Sequence, residues 1–122
     1  MIIKVKDIEP EDVRFRTFHV LDQECKKVIG HIIAAVQKLE NGNFKIACSF
    51  CNPKDQFNRA YGQFIANRRL FFSPPNRGST VIISRLPDKK VTETIKQGCL
   101  YLAAHYPIRW VLEQVDSIDQ LK

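Results

Sequence analysis

Arg59, Arg68, Arg69, Arg77 and Arg85 lie in a stretch without a single acidic residue between Asp55 and Asp88, and Lys89 and Lys90 follow directly. The chain carries a net charge of +6, and that excess is local. Residues 1–50 hold eight Lys/Arg against seven Asp/Glu, residues 51–90 eight against two, and residues 91–122 three against four. Such a distribution is the footprint of contact with a polyanion rather than of a uniformly basic protein. Lysine and arginine neutralise phosphates and release counterions, and arginine adds a planar fork for phosphate oxygens and a flat face for bases. Tyr61, Phe71 and Phe72 interleave with the arginines, and Asn58, Gln63, Asn67 and Asn76 add amide donors. A purely structural role competes, because Arg68 and Arg69 complement a helix dipole if a helix ends there.

Other chemistries have less to stand on. Cys48 and Cys51 form a CxxC, the half-site of many zinc modules and the motif of thiol oxidoreductases. On a strand, residues three apart point to opposite faces, no second pair stands at matching spacing, and the tightening glycine of a zinc knuckle is missing. Asn52-Pro53, which suits a helix start right after the second cysteine, leaves a redox reading open beside the default of buried thiols. His19, His31 and His105 fall on predicted strands or beside a buried helical stripe, with no nucleophile-elbow signature near any serine. Glu9, Glu11 and Asp12 surround Pro10 as turn acids. The sequence contains no glycine-rich phosphate loop of the Walker or dinucleotide type. The expectation is therefore a non-enzymatic protein with no catalytic residue, metal or cofactor.

The elements that must position the arginines follow from periodicity and turn chemistry. Length and an ordinary 44% hydrophobic content predict one domain over residues 1–122, with 108–122 as a loosely docked C-terminal segment. No membrane span or signal peptide is legible, so the cytoplasm is the expected compartment. Strands are predicted over 2–6, 13–21, 27–38 and 44–50. Asn41-Gly42 reads as a two-residue hairpin turn that would set Leu39 beside Phe44, Ala35 beside Cys48 and Ile33 beside Phe50. Asn52 as N-cap, Pro53 at the first helical position and Asp55 in the first turn predict a helix. Its buried stripe would be Phe57, Ala60, Tyr61, Phe64 and Ile65.

The opposite helical face is then Arg59, Gly62 and Ala66. Gly62 and Ala66 would let a phosphate backbone or a second helix approach closely, offsetting the helix cost of glycine, about 1 kcal/mol. A second hairpin is predicted around residues 73–78, between 70–72 and 79–83. A second long helix starts at Pro87 or Asp88, with Val91, Ile95, Cys99, Leu102 and Tyr106 along one side and its second half buried nearly all round. Pro107 ends it. Residues 108–112 could be a strand or a helical turn, and the last residues a short helix or a frayed end. The fold class is α+β: an antiparallel β-meander of about four strands, a capped helix on one face, a short hairpin and a second long helix.

The run Asn52-Pro53-Lys54-Asp55-Gln56-Phe57-Asn58-Arg59, followed by Gly62, Ile65-Ala66 and Arg68, resembles a pattern in small uncharacterised phage and mobile-element proteins. There, a β-meander feeds a helix written Pro-x-Asp-x-Phe-x-Arg, then Gly, Ile-Ala and Arg. The resemblance spans about residues 13–70 and implies a viral or integrated-element origin without a defined activity. After Leu70 the chain departs from it. The resulting functional expectation is a binding module for single-stranded or structured nucleic acid, using Arg59, Arg68, Arg69, Arg77, Arg85, Lys89 and Lys90. The alternative is a protein-interaction or inhibitor module, acting on a host complex or as a homodimer joined across Arg59, Gly62 and Ala66.

Overall fold

The computed structural model describes residues 13–39, 42–51, 56–72, 80–114 and 118–120. Strands β1 (Val13–Leu21), β2 (Val28–Lys38) and β3 (Phe44–Cys51) form an antiparallel meander. Helix α1 (Arg59–Phe72) follows, then β4 (Thr80–Ile83), α2 (Val91–His105), the single turn α3 (Arg109–Leu112) and β5 (Ile118–Gln120). The sheet order is β4-β3-β2-β1-β5. The fold is α+β, as expected. The strand read at 2–6 and the turn residue Arg77 lie outside the described residues. Among the described residues no helix is long and apolar enough to cross a membrane.

Two connections set the geometry of the meander. Asp22 closes the first, its carboxylate accepting the backbone N–H groups of Glu24 at 2.8 Å and Cys25 at 3.2 Å. That pattern is an Asx turn, and it holds the Asp22 carboxyl below its ordinary range. The second differs from the predicted two-residue turn. Gly42 donates to the Leu39 carbonyl at 3.0 Å and Leu39 to the Asn43 carbonyl at 2.8 Å, so three residues separate the closing pair. Gly42 has φ +85°, the left-handed position that such a loop reserves for glycine. Pairing is displaced by one residue accordingly: Lys38 faces Phe44, Ala34 faces Cys48 and Ile32 faces Phe50.

That register divides the apolar residues between two faces. Phe18, Val20, Ile32, Ala34, Val36, Phe44, Ile46 and Cys48 share one face and pack against Ile95, Cys99, Leu102 and Ala103 of α2. Val13, Ile33, Ala35 and Ala47 share the other and pack against Ala66 and Leu70 of α1. Both faces of the middle of β2 are thus covered, and Ile32 to Val36 are buried without a break. A continuous apolar run in place of alternation is what double-sided cover demands.

Helix α1 corrects two expectations. It starts at Arg59, and Asn58 rather than Asn52 caps it, its side-chain oxygen accepting the Tyr61 N–H at 3.0 Å. The face turned to the sheet is the small one. Ala66 and Leu70 are fully buried, whereas Tyr61 and Phe64 are 64% and 58% exposed and Ala60 is exposed as well. Gly62 sits so close to the sheet that a Cβ would overlap the Ile33 side chain, and its carbonyl accepts the Ser49 hydroxyl at 2.9 Å. Gly62 and Ala66 therefore serve an approach to the chain's own sheet, not to a ligand or a second subunit.

The second half of the chain is also more specific than expected. Leu70 to Phe72 complete α1, so β4 pairs with β3 instead of with those residues. Helix α2 buries Thr94, Ile95, Gly98, Cys99, Leu102 and Ala103 on one side and leaves Tyr101, Ala104 and His105 exposed, so its second half is not buried all round. The C-terminal segment is built into the core. Trp110 lies against Gly30, where a Cβ would overlap the indole, Val111 is fully buried, and β5 pairs with Phe18 to Val20.

The orientation of α1 makes a direct expectation for mutagenesis. Leu70→Ala should cost about 2–5 kcal/mol in denaturant unfolding, the usual loss for a fully buried leucine. Phe64→Ser should stay within about 0.5 kcal/mol of the parent. Equal losses would mean that the aromatic face, not the small one, meets the sheet.

Candidate functional site

The sheet divides the predicted cationic patch. Arg59 and Arg68 are exposed on α1, on one face, while Arg85, Lys89 and Lys90 are exposed between β4 and α2, at the other. Arg69 turns inward. Its guanidinium donates to the Cys48 carbonyl at 2.7 Å and lies 5.6 Å from the Tyr106 ring centre. A half-buried arginine that satisfies a strand carbonyl and stacks on a tyrosine is part of the packing. The structure thus does not bring Arg59, Arg68 and Arg69 together with Arg85, Lys89 and Lys90.

It gathers a different set. Arg14 and Arg16 of β1 and Lys38 of β2 line a groove with Arg85, over a floor formed by Val36, Phe44, Val91 and Ile95. The groove encloses about 870 Å³, and Lys90 immediately precedes Val91 on its rim. Alternation along β1 explains half of the set: Arg14 and Arg16 stand two residues apart, on the face shared by Phe18 and Val20. Helix α2 makes its main contacts with β2, β3 and β4, and on the face it shares with β1 Arg14 is exposed and Arg16 half-buried. Among the described residues the ion pair is Arg109 with Glu113, far along the chain, and no carboxylate lines the groove. Arg16 donates to the neighbouring Phe15 carbonyl at 3.2 Å. The arrangement can hold an anion by charge.

Reading by segment missed Arg14, Arg16 and Lys38 because residues 1–50 are nearly charge-balanced. The signal that could have found the first two was their i, i+2 spacing on an amphipathic strand.

The cysteines and histidines occupy other environments. Cys48 points into the core, its sulfur 3.4 Å from that of Cys99 on α2, and burial pushes its thiol well above the ordinary range. Cys51, on the opposite face, pairs in register with His31. The CxxC cysteines are therefore separated by the strand itself. Among the described residues no three His, Cys, Asp or Glu side chains converge as a metal site would require. His19 and His31 are direct cross-strand neighbours. His31 stacks on Phe57 with ring centres 3.8 Å apart, and burial first, then the charges of His19 and Arg59, lower its pKa from 6.5.

No family model matches the chain, and no curated protein or solved structure matches it.

Two outcomes check these environments. Iodoacetamide on the native protein should label the exposed Cys25, while the buried Cys48 and Cys99, out of the reagent's reach, react only after unfolding, and burial also holds the Cys48 thiol in its unreactive protonated form. His31 should titrate below 6.5 by NMR. Since its folded pKa is depressed, the unfolded chain binds the proton more tightly. Stability from this group is complete above the unfolded value and declines as pH falls below about 6.5. His31→Phe should flatten that decline in a melting-temperature series.

Proposed function

We propose that the chain is a non-enzymatic binding module for nucleic acid, single-stranded or structured, and that Arg14, Arg16, Lys38 and Arg85 form its contact surface, with Lys89 and Lys90 at the rim. The observation that carries this reading is one groove lined by four cations and, among the described residues, no carboxylate. Each cation placed on a phosphate releases counterions, and the release supplies affinity with little sequence preference. The resemblance to small phage and mobile-element proteins is compatible with such an accessory role and adds no activity to it.

A second reading rests on α1. Tyr61, Phe64 and Phe72 are 64%, 58% and 71% exposed on a helix whose other side is docked. Large exposed aromatics flanked by Arg68 favour a protein-interaction surface, through which the chain would dimerise or bind a host complex.

Fluorescence anisotropy with a labelled single-stranded oligonucleotide over a salt series separates the two. Wild-type affinity should fall steeply with salt, and Arg14→Ala/Arg85→Ala should reduce the slope of log K against log salt by about 1.4, near 0.7 for each lost phosphate contact. Arg68→Ala on the other face should leave the slope unchanged. An unaltered slope in the groove variant removes the first reading. A dimer in sedimentation that Phe64→Ser converts to a monomer supports the second.

A further inference from the structure

A second concavity lies away from the basic groove and has different chemistry. It occupies about 570 Å³ between the N-terminal half of α1 and the far end of β3, with Tyr106 and Ile108 closing one side. Phe50, Phe57, Tyr61 and Tyr106 supply four aromatic walls, and Ser49, Gln56 and Asn58 supply neutral polar groups. Its size falls within the range typical of small-molecule sites, about 300–1,000 Å³, and mostly apolar walls with a few placed polar groups are their usual composition.

One charge is built into this cavity. Arg69 lines it, and no carboxylate does among the described residues. The bond to the Cys48 carbonyl uses one of the five guanidinium N–H donors, and the guanidinium carbon lies 5.6 Å from the Tyr106 ring centre. Donors are left over on a group already tethered by that bond, so less entropy is lost when an anion engages it. Gly62 lines the cavity where the helix backbone closes on Ile33 and Ser49 of the sheet. We infer that the cavity binds a planar aromatic monoanion, an arene carboxylate, with the ring between Phe57, Tyr61 and Tyr106 and the carboxylate on Arg69. A polynucleotide is a poorer occupant, since its successive phosphates would meet one cation among aromatic walls.

The test is an amide-detected NMR titration of the full chain with 2-naphthoate and, separately, its neutral counterpart 2-naphthamide. The acid should give saturable shifts at Ser49, Gly62 and the Arg69 side chain, with a Kd below about 1 mM, as expected for a ligand of that size. The amide should bind at least about tenfold more weakly, the loss of one charge-assisted contact. Arg69→Met should abolish the preference for the acid. Because Arg69 also holds the Cys48 carbonyl, that variant could fail to fold. Tyr61→Ala, at an exposed position, tests the site independently and should weaken both ligands. The groove variant Arg14→Ala/Arg85→Ala should bind 2-naphthoate like the parent, so failure here and failure of the nucleic-acid reading are separable. Equal affinity for acid and amide in the parent, or shifts centred on Arg14 and Arg85, overturns the inference.

Discussion

Ala35 opposite Ala47 is the pairing on which the molecule turns. With that register, β2 and β3 send Ala34, Val36, Ile46 and Cys48 to one face and Ile33, Ala35, Ala47 and Ser49 to the other. A slip of one residue would exchange the two sets on one strand relative to the other, since side chains alternate with a period of two. The three-residue connection ending in Gly42 holds the register from one end. The contrast between the faces holds it throughout: bulky residues meet α2, small ones meet α1. Each helix recognises a surface relief as much as a polarity.

The shallow face determines what α1 can be. A helix that settles over Ala35, Ala47 and Ser49 must present small residues of its own, and Gly62 and Ala66 meet that demand. The Ser49 hydroxyl on the Gly62 carbonyl and the Arg69 guanidinium on the Cys48 carbonyl then tie helix to sheet through main-chain oxygens. The consequence is an inversion: large aromatics that would ordinarily anchor a helix are left facing water, and one arginine is drawn inside.

Much of this was legible in the sequence. The boundaries of β1 to β3 follow from alternation and turn residues, and the stripe Val91, Ile95, Cys99 and Leu102 marks the inner side of α2. The start of α1 was not, because Asn52 and Asn58 are both good caps and local chemistry alone prefers the one followed by proline. Its orientation was not, because periodicity locates a stripe of large apolar residues and has no means of knowing that the sheet beneath offers alanines. The basic groove was hidden by arithmetic. Asp22 and Glu24 offset Arg14 and Arg16 in a segment count, yet they sit in the turn at the far end of β1, a strand of nine residues or roughly 30 Å. Among the described residues, charges that cancel in sequence are thus held apart in space.

Arginines beside a core edge have a structural use that must be weighed against recognition. Their aliphatic stems can cover Val36 and Phe44 where α2 leaves the sheet open, with the heads in water. A cover of that kind needs amphipathic length, which Lys and Arg supply with longer aliphatic stems than Glu or Gln. Four like charges around one groove are a costlier cover, because each raises the potential felt by the others and water screens them only over about 8 Å at physiological salt. The stem explains why a long polar side chain stands at each position. An anionic occupant of the kind proposed above would offset the repulsion among the four heads.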